Sequence, residues 1–360
     1  MGRLLFIDNL RWICILMLFP IHTAFIFSAG WFGYYISSDY RSLAAPGFAV
    51  AAETWIMPLL FCIAGMSTKF ALRKRTPLVY LKERITKLLV PFLAGLVLIC
   101  PVIAYYALRF HTGYSGTFAG AFVHFFSSIR NFPNLHGIWG DFSVDHLWFI
   151  LSLFLISVVA LIVILPGRRL ARSPLNTENV TLPVLVLLFV PLWLLNFVGI
   201  YQSGCSLVTY FALFLIGYYL FGEEAIRARL EKNRTVLLAA WIILTVGLMW
   251  GYGIILEHPE VFWGYSPFFV VTGWTGVLAL MGWGSHLLEV SNPFTAYMSA
   301  ASYPVYIIHQ GVLVAIAYYV VMSALPPALQ YAIILIASIL LTFAIYEIVR
   351  RIPVVRALFG

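Results

Sequence analysis

Two residues of the first apolar stretch have types and a spacing suited to chemistry. Ten residues separate Arg11 from His22, which in a helix is a rise of roughly 16 Å and close to three turns. Both side chains should therefore share one helix face, with Arg11 at the membrane boundary and His22 near the middle of the bilayer. Ionisable groups are costly there and usually face an interior cavity. A histidine that only bonds a neighbouring helix is the alternative that these two residues leave open.

A second polar cluster is predicted around His309, in a late apolar stretch. Tyr303, Tyr306 and Gln310 fall near one face with it at helical spacing. Aromatic residues at this spacing more often pack in a core, but Gln310 beside His309 favours a polar cavity. Removal from water favours the neutral imidazole, which accepts protons, so such a cavity suits general base catalysis.

A basic segment between two apolar stretches predicts an anion site. Arg84 and Lys87 lie three residues apart in a run that ends at Pro91, so an α-helix would place both on one face. Guanidinium and ammonium groups at such a position suit phosphates. The alternative is that the basic residues from Lys69 to Lys87 only fix the membrane topology.

No metal site is predicted from the sequence. The cysteines lie far apart within apolar stretches, and four histidines match no metal-ligand spacing; these are His111, His124, His136 and His146. Glu53 and Glu347 are isolated carboxylates near the ends of apolar stretches, each suited to pair with a cation. Their roles stay open, as does that of His146, which precedes an aromatic run typical of an interfacial anchor.

These residues need a scaffold that holds them inside a membrane. The chain has 360 residues, of which 62% are hydrophobic and 10% charged, and this is not a soluble composition. A helix of roughly 20 apolar residues crosses the bilayer, so the sequence predicts an all-α integral membrane bundle of about ten transmembrane helices. A single domain is expected to cover residues 1–360. The predicted spans are 12–32, 49–71, 88–108, 146–166, 182–199, 204–222, 235–256, 263–284, 301–322 and 328–349.

The basic residues predict the orientation of this bundle, since Lys and Arg collect on the cytoplasmic side. With the amino terminus inside, all but three of the 22 lysines and arginines fall in inner segments. The exceptions are Arg41, Arg109 and Arg130. Both termini are therefore expected in the cytoplasm, with the protein in an inner or plasma membrane. The net charge of +8 is explained by inner loops that face an anionic leaflet, and it requires no nucleic acid.

Five segments in this order resemble the acyltransferase-3 family of membrane acyltransferases, and together they span most of the chain. They are Arg11 to His22, Phe61 to Ser67, Arg84 to Pro91, His146 to Phe149 and Ser302 to His309. The sequence departs from the common family pattern in two places. Lys87 replaces a frequent arginine, and the segment before Gly65 carries Trp55 and Met57-Pro58. The second departure indicates a branch nearer the glucan-modifying members.

The resemblance implies an O-acyltransferase that takes a short acyl group from cytoplasmic acyl-CoA. The acceptor would be a hydroxyl of a cell-surface glycan or a related compound at the outer face. Acetyl is the expected group and succinyl the alternative. His22 is implied as the catalytic base, while His309 and Tyr306 would orient the acyl carbonyl or stabilise its oxyanion.

The same resemblance implies how the donor is held. Arg11, Arg84 and Lys87 would bind the phosphates of CoA on the inner side. Neither the acceptor nor the oligomeric state follows from the residues.

A multi-span transporter or proton-coupled exporter is the competing class. In that case His22, His309 and Glu347 would line a proton or substrate path. Two broken helices in repeated halves are typical of transporters, and the sequence has no convincing internal repeat. Binding of CoA separates the classes, because it should stabilise an acyltransferase against heat and leave a transporter unchanged.

Overall fold

The chain is described here by a computed structural model. It describes residues 4–28, 34–42, 44–131, 137–170, 177, 179–202, 205–255 and 266–359. Most of these residues are helical. The predicted all-α membrane fold is therefore confirmed.

The elements of the described part follow one another as a chain of helices. The α-helices are α1 (Leu5–Ile26), α2 (Ala44–Lys74), α3 (Pro77–Arg84), α4 (Val90–Leu98), α5 (Cys100–Thr112), α6 (Phe118–Ser127), α7 (Trp148–Leu170), α8 (Leu182–Leu187), α9 (Phe189–Leu195), α10 (Leu207–Ile216), α11 (Glu224–Lys232), α12 (Arg234–Ile255), α13 (Pro267–Leu287), α14 (Pro293–Val321), α15 (Pro327–Val349) and α16 (Pro353–Phe359). Two short strands, β1 (Tyr201–Gln202) and β2 (Cys205–Ser206), pair antiparallel before α10. Single turns of other helix types also occur: π turns at Ile85–Leu89 and Gly217–Phe221, and 3-10 turns at Ser128–Asn131, Gly137–Trp139 and Asp145–Leu147.

Within the described residues, eight helical segments are long and apolar enough to cross a membrane. They are Leu5–Ile26, Ala44–Lys74, Pro77–Thr112, Asp145–Pro166, Arg234–Gly251, Pro267–Leu287, Pro293–Val321 and Pro327–Val349. A ninth is added if Leu207–Phe221 and Glu224–Lys232, which meet at 94°, form one broken span. The predicted span at 182–199 corresponds to a shorter apolar segment, Leu182–Leu195. The multi-pass fold is confirmed, and the count of ten spans stays a prediction.

The residues group into two compact units. The first unit contains Met1–Cys14, Val50–Arg84 and Ser152–Ala296, and the second contains Ile15–Ala49, Ile85–Leu151 and Tyr297–Gly360. The organisation as one domain over residues 1–360 stays a prediction.

In the first unit, α2 and the segment from α10 to its following π turn approach until their backbones touch. A side-chain carbon added to Gly65 would overlap the carbonyl oxygen of Phe214, and one added to Gly217 would overlap that of Cys62. Small residues permit such contact in membrane proteins, where close van der Waals packing holds helices together. Gly65 therefore serves helix packing.

The start of α1 is also held within the first unit. The carboxylate of Glu289 accepts hydrogen bonds from the backbone amides of Leu5 at 3.0 Å and Phe6 at 3.1 Å. The Asn9 amide donates to the carbonyl oxygens of Leu288 at 2.7 Å and Val290 at 3.0 Å. Amides of a first helical turn have no partner within their own helix, and a carboxylate there also favours the helix dipole. These contacts fix the helical turn that carries Arg11.

The second unit has its own apolar core between the end of α1 and helices α5, α14 and α15. Its buried residues include Ile26, Ile103, Leu313 and Ile334. The hydroxyl of Tyr331 on α15 donates to the carbonyl oxygen of Pro20 at 3.2 Å. A carbonyl oxygen has two lone pairs, so the Pro20 carbonyl can accept this bond within α1. The core thus holds the part of α1 that carries His22.

We predict that Gly65→Ala lowers the stability of the protein by about 1–3 kcal/mol, the usual cost of overfilling a tight contact. The added carbon would displace the Phe214 backbone, which cannot move alone. Thermal unfolding of the detergent-solubilised protein measures the change. Gly247→Ala is the control, because its added carbon would lie 3.1 Å from the movable tip of the Phe268 ring. Equal melting temperatures for the two variants would contradict the packing role.

Candidate active site

Three histidines from three separate elements meet in the second unit. His22 lies on α1, His146 in the 3-10 turn Asp145–Leu147 before α7, and His309 on α14. The ring centroid of His309 lies 5.4 Å from that of His22 and 5.2 Å from that of His146. His146 and His309 are buried, whereas His22 is partly exposed. We call these three residues the imidazole cluster.

Two backbone carbonyls determine where the hydrogens of this cluster lie. His146 Nε2 lies 2.9 Å from the carbonyl oxygen of Ile307, and His309 Nδ1 lies 2.6 Å from that of Tyr306. A carbonyl oxygen only accepts hydrogen bonds, so both of these nitrogens must carry a hydrogen. In the neutral rings, His146 Nδ1 and His309 Nε2 are then acceptors.

Each ring of the imidazole cluster keeps a buried nitrogen with no hydrogen-bond partner among the described residues. These atoms are His22 Nδ1, His146 Nδ1 and His309 Nε2. Buried polar atoms are almost always paired in folded proteins, and exceptions gather at sites that a ligand or a reaction completes. The cluster is therefore suited to take up a proton from a bound molecule. A positive charge on one ring would oppose a second on its neighbours.

Tyr306 supports the cluster through its hydroxyl group. This hydroxyl donates to the backbone carbonyl oxygen of His146, and the Tyr306 ring lies 5.6 Å from the His146 ring and 5.8 Å from the His309 ring. An oxyanion role for Tyr306 requires that this hydrogen bond be given up first. In the observed arrangement, Tyr306 holds the turn that carries His146.

Tyr34 covers the other side of the cluster. Its ring stacks on His22 with a centroid separation of 6.3 Å and an interplanar angle of 17°. The Gln310 side-chain amide donates to the Tyr34 hydroxyl at 2.5 Å, which joins α14 to the segment after α1. His111 Nε2 lies 2.9 Å from the Tyr34 carbonyl oxygen. Gln310 thus lines the polar site, as its position beside His309 suggests.

Sequence reasoning did not place His146 or Tyr34 in the site. His146 has the signal of a polar residue at the start of an apolar stretch, but an interfacial anchor shows the same pattern. Tyr34 follows the first apolar stretch in a segment without a regular period, so its contact with His22 depends on how the chain folds back.

The predicted anion-binding residues divide between the two units. In the first unit, the Arg11 guanidinium donates to Asp8 Oδ1 at 2.8 Å and to Ser67 Oγ at 3.2 Å. The Arg84 guanidinium lies over the Tyr80 ring, with 4.6 Å from Cζ to the ring centroid. Arg11 uses two of its five donors in these bonds, and the others are suited to a ligand.

Arg84 occupies a strongly basic part of the first unit. Arg11 and Arg75 lie close enough to repel its charge, and its buried Nε has no hydrogen-bond partner among the described residues. An anion beside these guanidinium groups would offset the repulsion. We call Arg11, Arg75 and Arg84 the guanidinium cluster. Arg75, which also pairs with Glu83 at 3.0 Å, was not predicted for this site.

Lys87 belongs to the second unit and lies in the π turn Ile85–Leu89. Its side chain is exposed and makes no hydrogen bond or ion pair with the residues that the structure describes. A π turn holds more residues than an α turn. The α-helical spacing that predicted a shared face for Arg84 and Lys87 therefore does not apply across this turn.

Glu347, on α15, is held by Arg350 just after this helix and by Tyr297 on α14. Its carboxylate pairs with Arg350 at 2.7 Å and accepts a hydrogen bond from the Tyr297 hydroxyl at 2.8 Å. These partners occupy the group that the transporter hypothesis assigned to a proton path with His22 and His309.

The described residues contain no group of three or more His, Cys, Asp or Glu side chains that could hold a metal ion. His124 pairs with Asp141 at 3.0 Å, and His111 bonds the Tyr34 backbone. His136 lies outside the described residues. The prediction of no metal stays a prediction.

The fold and the site together define a class, that of multi-pass helical membrane proteins with buried imidazoles suited to proton transfer. The family model described as an acyltransferase domain, Acyl_transf_3, matches residues 4–347. The chain therefore belongs to the acyltransferase-3 family, as the five segments predict, and is a membrane acyltransferase. No curated protein and no solved structure matches it.

We predict that Tyr306→Phe lowers stability by about 1 kcal/mol, because the buried His146 carbonyl loses a hydrogen bond. Thermal unfolding in detergent measures the loss. Tyr40→Phe serves as the control, since Tyr40 is 63% exposed and its hydroxyl is not involved in the site. A melting temperature of Tyr306→Phe equal to that of the control would show that the hydroxyl contributes nothing to the site.

Proposed function

We propose that this acyltransferase transfers a short acyl group from acyl-CoA to a hydroxyl of a cell-surface glycan or a related acceptor. Acetyl is the expected group and succinyl the alternative. The imidazole cluster is the observation that carries the proposal, since it offers unpaired buried nitrogens within a membrane-spanning fold. Transfer of an acyl group to a hydroxyl requires a base at such a position.

His22 is the proposed base. It is the partly exposed member of the cluster, so a substrate can approach its ring. His22 would take the proton of the acceptor hydroxyl while the hydroxyl oxygen attacks the thioester carbonyl carbon. The tetrahedral intermediate then loses its carbon–sulfur bond, and the CoA thiolate takes the proton back from the imidazolium. The products are the acyl ester and CoA with its thiol, and His22 returns to its neutral form.

The other two imidazoles support this step in the proposal. His309 lies beside His22 with its Nε2 unpaired among the described residues. It would orient the acyl carbonyl or stabilise its developing charge when it carries a second hydrogen. Tyr306 serves the reaction by holding His146, because its hydroxyl is already bonded to that backbone.

The guanidinium cluster is the proposed site for the phosphates of CoA. Guanidinium groups bind phosphate oxygens with two parallel hydrogen bonds, and Arg11 and Arg84 have donors that the described contacts do not use. The role of Lys87, which belongs to the second unit, stays a prediction. The distribution of basic residues supports cytoplasmic termini and a cytoplasmic donor site, with the acceptor reached from the outer face of a plasma or inner membrane.

We predict that His22→Ala reduces acyl transfer by about 10²–10⁴-fold, the usual contribution of a positioned base. Membranes that express the protein would receive radiolabelled acetyl-CoA or succinyl-CoA, and label in surface glycan or lipid would be counted. His286→Ala is the matched control, because His286 belongs to the first unit and pairs with Glu231 there at 3.0 Å. It should transfer at the wild-type rate.

Two results would reject this proposal. Equal transfer by His22→Ala and wild type would remove His22 as the base. No transfer from any acyl-CoA, together with solute uptake that depends on His22, would favour the transporter.

Arg84→Gln should raise the KM for acyl-CoA by about 10–100-fold and change kcat little. The charged hydrogen bond to the donor would be lost equally from the substrate complex and from the transition state. Initial rates at varied donor concentration separate the two constants. Arg351→Gln is the control, because the Arg351 side chain is 75% exposed. A loss confined to kcat would place Arg84 outside the donor site.

A further inference from the structure

Asp145 has an unusual backbone for a residue with a side chain. Its φ is +46°, and it is the non-glycine residue with positive φ in the described part of the chain. This left-handed region is rarely adopted by residues other than glycine, although aspartate and asparagine tolerate it best. The conformation must therefore be maintained by contacts around Asp145.

Ser143, Tyr35 and Cys100 contact Asp145, and two of these contacts have defined geometry. The Asp145 backbone amide donates to Ser143 Oγ at 3.0 Å, and its carboxylate accepts a hydrogen bond from the Tyr35 hydroxyl at 2.8 Å. Burial and the nearby Asp145 carboxylate raise the pKa of Tyr35 above its ordinary value. Tyr35 therefore remains protonated and keeps the hydrogen that it donates.

The residue after Asp145 is His146, which is held by one hydrogen bond at its backbone and another at its ring. Its carbonyl oxygen accepts from Tyr306, and its Nε2 donates to the Ile307 carbonyl. Both partners lie on α14. The Tyr35–Asp145 bond adds a third contact, from the segment after α1 to the residue directly before His146.

Tyr35 is also the neighbour of Tyr34, which stacks on His22 and accepts from Gln310. Two adjacent residues of one segment therefore contact His22 and the turn that carries His146. Tyr34 covers His22, and Tyr35 bonds the turn that carries His146. A shift of Tyr35 would move both rings relative to His309.

We propose that Tyr35 and Asp145 are positioning residues whose hydrogen bond sets the relative placement of His22, His146 and His309. The catalytic consequence rests on the proposed function, because it assumes that this cluster performs acyl transfer. The geometric consequence does not. Neither residue is proposed to touch the substrate.

Four variants test this hydrogen bond. Tyr35→Phe removes only the hydroxyl, and Asp145→Gly removes the carboxylate while permitting positive φ. Asp145→Asn keeps an oxygen that accepts from Tyr35 and a side chain that tolerates the backbone conformation. Tyr40→Phe is the control from the same segment, where Tyr40 is 63% exposed.

We expect kcat to fall about ten-fold or more in Tyr35→Phe and Asp145→Gly, because small displacements of catalytic groups have large effects on rate. The donor KM should stay unchanged. Asp145→Asn and Tyr40→Phe should retain kcat. The double variant Tyr35→Phe/Asp145→Gly should lose less kcat than the two single losses combined, since both changes remove the Tyr35–Asp145 bond.

A second readout does not need turnover. In protein labelled with ¹³C-histidine, the ring resonance of His146 should shift alike in Tyr35→Phe and Asp145→Gly and stay in place in Asp145→Asn. His146→Gln assigns the resonance by its absence. If the wild type transfers no acyl group, the proposed function fails while this measurement still tests the hydrogen bond.

Several outcomes would overturn the proposal. An unmoved His146 resonance in Tyr35→Phe would show that the bond does not position the ring. Full kcat in Tyr35→Phe would remove its catalytic consequence. Equal damage from Asp145→Asn and Asp145→Gly would assign the effect to the negative charge, and additive losses in the double variant would separate the two residues.

Discussion

The lack of water in the hydrocarbon of a bilayer is the constraint on which this structure depends, because each polar group there must find a partner inside the protein or in a ligand. In the second unit, His146 and His309 each have one ring nitrogen that donates to a backbone carbonyl of α14. The opposite nitrogens are unpaired among the described residues. The same elements that satisfy the fold therefore leave defined acceptors for a reaction.

These carbonyls can bond the histidines because a carbonyl oxygen has two lone pairs, so one inside a helix can accept from a side chain as well as from its helix partner. Proline at position 304 also lies inside α14, and its missing amide hydrogen leaves a carbonyl of the preceding turn without a helix partner. Tyr306, Ile307 and His309 follow within the next turns, and all three are buried. The helix thus supplies an imidazole, a side-chain donor and backbone acceptors from one short stretch. The 3-10 turn at Asp145 and the segment at Tyr34 then complete the surroundings.

In the first unit, the polar groups that need partners are guanidinium groups. Arg11 is offset by Asp8, Arg75 by Glu83 and Arg84 by the ring of Tyr80 and by Glu83, yet the three guanidinium groups still repel one another. Such an arrangement is unfavourable in isolation and becomes favourable with a bound anion. The proposed acyl-CoA donor would supply such an anion. Backbone contact at Gly65 and Gly217 packs the helices of this unit closely, which suits the proposed anion site.

The sequence by itself determined the helical membrane fold, the family, and the polar character of His22, His309, Gln310 and Arg84, because apolar length and intramembrane charge are properties of a single segment. It did not determine that His146 joins His22 and His309, since that contact brings together residues far apart in the chain. Tyr34 and Tyr35 lie in a segment without a regular period, and Lys87 lies in a π turn that no local pattern predicted. Only the tertiary structure decided these points, because hydrogen bonds to backbone carbonyls and left-handed turns are selected by packing and not by spacing.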